Sequence, residues 1–369
     1  MRLGVPKETA PGERRVALVP DGLRGLAEDG VEVVVESDAG GGATFPDAAY
    51  AEAGARIGTA ADAFGADVVC KVQKPSEPEV AQLAEGSVVV GLLQPLTSPE
   101  LSRALAERRV TGFSLDAVPR ITRSQSMDAL SSQSTVAGYK AVLLAAGSLG
   151  KFFPMLTTAA GTIAPARVLV LGAGVAGLQA IATARRLGAV VSAFDVRPVV
   201  REQVESLGAT FLELDVAGEE TAGGYAAGLD EEQHRREQEL IASAAAEADC
   251  VITTALLPGG PAPILLTRAA LRGMRPGSVV VDLAAEMGGN CEDTEPGRTA
   301  EVEGVTVIGE PNLPSTMPVH ASQMYSRNVT SFLGLLVEEG ELRLDFEDEI
   351  VRETCVTHEG RVLKEAVPA

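Results

Sequence analysis

Tryptophan is absent from the 369 residues, and aromatic residues of every kind make up only 4%. Any core must therefore be packed from small aliphatic side chains. Hydrophobic residues still make up 46%, and at roughly 25 cal/mol per Å² many buried Val, Leu, Ile and Ala residues sum to a large stabilisation. Basic residues are also in deficit, with 31 Lys and Arg against 51 Asp and Glu and a formal net charge of −20. That balance argues against nucleic acid, which needs a basic face. It argues equally against docking by charge on anionic lipid. An acidic surface keeps a chain soluble and can meet a basic patch on a partner. The longest apolar stretches are broken by glycine or polar residues, so none is expected to span a bilayer or insert directly into a membrane. The chain opens at Met1 to Pro6 straight into a strand pattern, with no signal-peptide pattern.

Cysteine and histidine are scarce. Cys70, Cys250, Cys291 and Cys355 are far apart and form no CxxC pair, which argues against a zinc centre or disulfide framework and fits a reducing cytoplasm. Cys70 and Cys250 lie in apolar runs and are expected to be buried small hydrophobes. His234, His320 and His358 fall in a charged helical stretch, after a Pro-Ser-Thr-Met-Pro run, and in a turn. No GxSxG or HExxH motif is present, no metal site is expected, and no acid–base set stands out. A dehydrogenase of alcohols or amino acids usually needs a proton donor beside the hydride acceptor. Direct transfer between two nicotinamides needs no proton at the carbons.

What is present is alternation. Strand patterns at 3–5, 31–36, 66–72, 87–93 and 110–114 are interleaved with helical patterns at 22–29, 47–53 and 99–107. A long helix is expected over 133–149, preceded by serines suited to N-capping. A second system has strands at 167–171, 190–194, 250–253, 278–282 and 305–308, and helices at 175–187 and 230–247. Strands alternating with helices imply parallel, doubly wound sheets. The expected class is α/β, with two Rossmann-like doubly wound domains and a cleft between them. The Gly-rich segment 217–229 reads as a mobile surface loop, and 342–362 as a C-terminal β-hairpin about His358 to Gly360. The domains are expected at 1–130 plus 322–369, and at 131–321.

The strongest motif runs from Arg167 through Gly172, Ala173, Gly174, Val175 and Gly177. Gly172 permits a tight turn, Gly174 lets the backbone approach a pyrophosphate, and Gly177 lets the helix pack on the strand. The helix N-terminus supplies N–H groups and a positive dipole end. The motif follows a strand, opens a helix, and is followed by a second strand ending on Asp195, 21 residues past Gly174. That is the spacing of a ribose-binding carboxylate, which favours NAD(H) over NADP(H). Arg197 could bind a 2′-phosphate, cover the adenine face, or form a surface ion pair.

The polar run from Pro119 to Ser134 lies between the two systems, where the cleft would receive a nicotinamide. Arg120 could pair with Asp128, Gln125 could bond a carboxamide or ribose, and Ser131 could contact ribose or cap the helix. An ordinary polar linker with capping serines fits the spacing equally well.

At these residues the chain resembles the NAD(H)-binding component of proton-translocating transhydrogenases, in a family shared with alanine dehydrogenase. The resemblance covers nearly the whole chain. It rests on 119–134 followed by Ala137-Gly138-Tyr139, on 167–184, on 221–225, on 253–259, and on 282–291. It implies that Arg120, Gln125, Asp128 and Ser131 hold the nicotinamide and its ribose and carry the transfer step. Ile121, Thr122, Arg123, Ser126 and Met127 belong to the same nucleotide-binding loop by that resemblance. Val175, Asp195, Val196 and Arg197 would contact the pyrophosphate and adenosine. Gly224 and Tyr225 would ride on a closing loop, and Thr254, Ala255 and Leu256 would line the adenosine side. The resemblance further implies a homodimer with a C-terminal hairpin reaching its partner, and NADP(H) on a separate subunit beside membrane-spanning subunits. It also implies a cytoplasmic location, peripheral on the inner membrane, with this component forming its own polypeptide. Alanine dehydrogenase is the second reading. Arg15 matches a pyruvate-binding arginine of that family, but Gln73 and Gln94 stand where it has a substrate-binding lysine and a catalytic histidine. Glutamine neither carries their charge nor titrates near neutral pH.

Overall fold

In the computed structural model, residues 1–214, 231–257 and 259–364 are described. They fall into two compact units, Met1–Gln133 with Pro314–Ala369, and Ser134–Leu313.

The first unit begins β1 (Arg2–Val5), α1 (Pro20–Glu28), β2 (Glu32–Glu36), α2 (Asp47–Glu52), β3 (Arg56–Gly58), α3 (Ala60–Phe64) and β4 (Val68–Gln73). It continues through α4 (Glu77–Val80), β5 (Val88–Leu92), α5 (Pro99–Glu107) and β6 (Thr111–Ser114) to the start of α6 (Ala129–Ser148). The second unit carries on from α6 with β7 (Leu156–Thr158), β8 (Gly161–Ile163), β9 (Arg167–Leu171), α7 (Val175–Arg186), β10 (Val190–Phe194), α8 (Arg201–Ser206) and β11 (Thr210–Leu212). Then follow α9 (Glu231–Glu247), β12 (Cys250–Thr253), α10 (Arg268–Gly273), β13 (Val279–Asp282), β14 (Thr299–Val302) and β15 (Val305–Ile308). The chain returns to the first unit with α11 (Pro318–Leu333), β16 (Val337–Glu338), β17 (Glu341–Leu342), α12 (Glu349–Thr354), β18 (Cys355–His358) and β19 (Arg361–Val362).

Both large sheets are doubly wound. The first has the order β19-β18-β6-β5-β4-β1-β2-β3, parallel from β3 to β6. The second has the order β11-β10-β9-β12-β13-β15-β14, parallel except for β14 against β15. Each sheet is covered on both faces, which is why its central strands read as unbroken Val, Leu and Ile. Along β4, Val68, Cys70 and Val72 enter one core and Val69 the other. Along β9, Val168 and Val170 pack on one face and Leu169 and Leu171 on the other. The order of the second sheet reverses beside β9, so the turn after β9 opens at a topological switch point.

Three expectations need correction. The long helix starts at Ala129, four residues before 133, because Asp128 caps it rather than a serine: its carboxylate accepts the Ser131 N–H at 2.8 Å. Ser131 lies inside the first turn. The segment 342–362 is not one hairpin, because Asp348 accepts the Ile350 and Val351 N–H groups and starts α12. Only β18 and β19 form the hairpin, and β18 pairs antiparallel with β6 of its own sheet. The third correction is the 16-residue α11, where no helix was expected. The Gly-rich segment 217–229, with Gly224 and Tyr225, lies outside the described residues.

Candidate nucleotide site

In the β9–α7 turn, Gly172 and Gly177 have the turn and packing roles that the spacing demands. Gly172 adopts φ +98°, a left-handed conformation that a side chain disfavours. Its N–H donates to the Phe194 carbonyl at 2.8 Å, fastening the turn to β10. Gly174 is the N-cap of α7 with ordinary negative φ, and among the described residues a Cβ placed there would meet nothing beyond its own turn within 4 Å. At Gly177 a Cβ would stand 1.9 Å from the Gly172 carbonyl oxygen, so only glycine fits. Gly138 on α6 has a similar role: its Cβ would lie 2.1 Å from the Ala176 oxygen, in the first turn of α7. The cradle left open over Gly174, facing a helix N-terminus, is what a pyrophosphate needs.

Around this turn, Ala173 is buried, Val175 is exposed, and Val196 packs against the core. The Thr254 hydroxyl lies 3.1 Å from the Gly172 carbonyl and donates to it, so this side chain props the turn. Asp195 follows β10. Its Oδ2 accepts the Ala173 N–H at 2.7 Å, and the Arg197 guanidinium grips both oxygens at 2.9 Å. Of the roles open to Arg197, the structure has the ion pair.

Two further residues, both in the 282–291 run, hold this region and had no role assigned from the sequence. Buried Asp282 accepts the backbone N–H groups of Ala284, Asn290 and Cys291 and the hydroxyls of Thr253 and Thr294, at 2.6–3.0 Å. Asn290, also buried, accepts the Ala255 N–H at 3.0 Å and donates to the Ala255 and Pro263 carbonyls at 2.9 and 2.8 Å. Leu256 is exposed beside it. Gly288 and Gly289, both at positive φ, were the sequence signal for this tight loop.

In the first unit, Arg120, Thr122, Gln125 and Ser126 of the polar run are exposed. Their neighbours anchor the run. Met127 is in the hydrophobic core and Ile121 packs against it. Buried Ser124 donates to the Pro119 carbonyl. Arg123 is forked onto Asp348 at 2.5 and 2.8 Å, and that pairing holds the Asp348 carboxyl below its usual range. Asp128 takes the Ser131 hydroxyl at 2.5 Å besides its N–H. Asn328 on α11 donates to the Ser126 carbonyl at 2.8 Å and accepts the Ser132 hydroxyl at 2.7 Å, a clamp that sequence reading missed.

Arg15 is not open to solvent. It is 3% exposed, with Nε and Nη2 on the two Glu13 oxygens at 2.8 and 2.6 Å and Nη1 on Gln133 at 2.8 Å. Gln73 donates to the same Glu13 at 2.8 Å. Gln94 sits past β5 at φ +54°. All four cysteines are buried and free, and burial pushes their thiols up to about 11 or 12. Among the described residues no cluster of His, Cys, Asp or Glu is placed to hold a metal, and no helix is long and apolar enough to cross a membrane.

Two family models match the chain: alanine dehydrogenase/PNT, N-terminal domain, over residues 4–137, and alanine dehydrogenase/PNT, C-terminal domain, over 141–365. The chain belongs to the alanine dehydrogenase/PNT family. It is 47% identical to an NAD(P) transhydrogenase subunit alpha chain of Rhodospirillum rubrum, over 100% of this chain and 99% of that one. It is similar to the crystal structure of transhydrogenase from Sinorhizobium meliloti, with TM-score 0.91, 47% identity, and 98% and 100% of the two chains covered. An L-alanine dehydrogenase structure is more distant, at TM-score 0.84 and 30% identity, covering 98% of this chain and 97% of that one. Membership of this family carries nicotinamide-nucleotide binding, and the balance of similarity lies with the transhydrogenase alpha subunits.

Proposed function

We propose that this chain is the NAD(H)-binding component of a proton-translocating transhydrogenase. The observation that carries the reading is the cradle over Gly174 at the N-terminus of α7, with Asp195 at the end of the neighbouring strand. A pyrophosphate takes the first-turn N–H groups of α7, and the adenosine ribose takes Asp195, whose carboxylate disfavours a 2′-phosphate. Thr254, Ala255 and Leu256 line the adenosine side. Arg120, Gln125, Asp128 and Ser131 orient the nicotinamide end. Bound there, NADH supplies the hydride that NADP+ on a partner subunit accepts. The work of the chain's own residues is then positioning, which can lower a barrier by roughly 7–11 kcal/mol in favourable cases.

The reading extends to a homodimer seated peripherally, through its NADP(H)-binding and membrane-spanning partners, on the cytoplasmic side of the inner membrane. With β18 committed to its own sheet, the hairpin suited to reach a second copy is β7–β8. It joins neither large sheet, and Met155 just before it and Ile163 at its end are exposed. An isolated two-stranded hairpin is marginal by itself, so packing against another surface would stabilise it.

The test follows NADH oxidation in two mixtures, one holding the protein with pyruvate and ammonium, the other with an NADP+-loaded transhydrogenase partner subunit. Oxidation only in the second is expected. Oxidation only in the first would make the chain an alanine dehydrogenase and overturn the proposal.

A further inference from the structure

The carboxylate that would receive the adenosine ribose already carries a full set of donors. Asp195 Oδ1 accepts the Arg197 N–H and Nε, both at 2.9 Å. Oδ2 accepts the Ala173 N–H at 2.7 Å and Arg197 Nη2 at 2.9 Å. A carboxylate offers about four acceptor sites, so all are in use. Both side chains are largely withdrawn from water, at 7% and 14% exposure. A ribose diol needs two of those four sites. Two of the donors are backbone N–H groups fixed by the β9–α7 turn and the end of β10. The other two belong to one rotatable side chain.

We propose that Arg197 is a displaceable cap on Asp195 and a specificity determinant of the nucleotide site. The inference rests on the reading that the dinucleotide lies along Gly172 to Gly177. The ribose diol of NAD(H) binds by lifting the guanidinium fork off Asp195, so Arg197 holds affinity for the unphosphorylated ribose below what Asp195 alone would give. A 2′-phosphate meets the opposite situation. It would face the Asp195 charge, with the buried carboxyl of Glu237 on α9 nearby. Burial raises that carboxyl, and the charge of Asp195 adds to the effect. Arg197 supplies the cation that offsets this field, because a guanidinium pairs two-pronged with phosphate as it does with carboxylate. Arg197 thus narrows a discrimination that Asp195 widens.

The measurement is the Kd of ADP-ribose and of 2′-phospho-ADP-ribose by calorimetric titration, for the wild type, Arg197→Met and Arg197→Lys. Arg197→Met is expected to bind ADP-ribose several-fold more tightly and the 2′-phosphorylated ligand about tenfold more weakly, since a charge-assisted fork is lost. Arg197→Lys keeps the charge without the planar fork, so it should share the first change and show a smaller second one. A ratio of the two Kd values unchanged within about twofold in Arg197→Met, or equal weakening of both ligands, overturns the cap, because phosphate contacts and neutral contacts should not weaken alike. Failure of the wild type to bind ADP-ribose at all overturns the nucleotide-site reading beneath it, and the cap with it.

Discussion

Gly174 and Gly177 stand three residues apart in one turn, yet an added methyl group should act on different quantities at the two positions. At Gly177 the new Cβ would lie 1.9 Å from the Gly172 carbonyl oxygen, whereas real Cβ contacts essentially never fall below 3.0 Å. Helix and turn must then part by at least about 1.1 Å (3.0 − 1.9), against backbone that cannot rotate away. Overpacking of this kind costs about 1–3 kcal/mol, and about 2–4 °C of Tm per kcal/mol for a unit of this size. At Gly174 an added Cβ would meet none of the described residues outside its own turn within 4 Å, and φ is an ordinary −76°. The gain of about 0.4–1 kcal/mol from stiffening the unfolded chain is offset by a comparable loss of N-cap preference. Gly174→Ala should therefore melt with the wild type, but its methyl group occupies the space assigned to pyrophosphate. The assay is thermal unfolding with and without NADH. At one hundred times Kd, ligand adds about 2.7 kcal/mol, or roughly 5–11 °C. That shift should appear in the wild type and vanish in Gly174→Ala, whereas Gly177→Ala should lose basal Tm as well. A Gly174→Ala protein that keeps the full NADH shift would refute the placement of pyrophosphate over this turn.

Two further outcomes follow from buried polar groups. Asn290→Asp keeps the acceptor for the Ala255 N–H but sets a carboxylate against the Ala255 and Pro263 carbonyls. It should loosen 254–256, cost about 1–3 kcal/mol and weaken NADH binding; unchanged affinity in a titration argues against this backbone as an adenosine contact. Burial raises the Glu8 carboxyl despite Lys71 at 3.2 Å, so the folded chain holds that proton more tightly than the unfolded one. The stability it contributes is complete below about pH 4.3 and is lost as pH rises through the raised folded value. Relative to the wild type, Glu8→Gln should therefore gain Tm as pH climbs from mildly acidic to neutral; a constant difference refutes the raised value.

The fingerprint was legible because its signals are local: β9, β10, β12 and β15 occupy the spans that periodicity indicated, and glycine at 172 and 177 has one steric explanation each. Helix α11 was not legible, because its inward face is partly polar. Ser322 and Ser326 turn their hydroxyls inward to accept the Val16 and Val19 N–H groups, which erases the apolar stripe that marks a buried helix. The clamps were hidden for another reason. Asn328 reaches Ser126 across 202 residues and Asn290 reaches Ala255 across 35, and a lone asparagine carries no sign of its partner. The tail misled because alternation from Leu342 onward has the period of a strand, while the Asp348 cap turns the middle of it into a helix.

Amino-acid oxidation would ask two things of the first unit: a cation able to take a small carboxylate, and a group that moves a proton. Arg15 is the cation in the right family position, but its fork is spent on Glu13, whose side chain is wholly buried. A substrate carboxylate would have to expel Glu13, and Gln73 binds the same carboxylate from the other side. Truncating that arrangement is costly, since removing one partner of a buried pair strands a charge. Gln73 and Gln94 carry no titratable proton. The buried ionisable groups on β4 and nearby are committed to one another, with Lys71 between Glu8 at 3.2 Å and Glu79 at 3.0 Å. A reaction whose only transferred species is a hydride, passed between two rings held face to face, asks for neither a free cation nor a proton relay. It asks for rigid loops, and those are what Ser124, Asp128, Asn328, Asp282 and Asn290 provide.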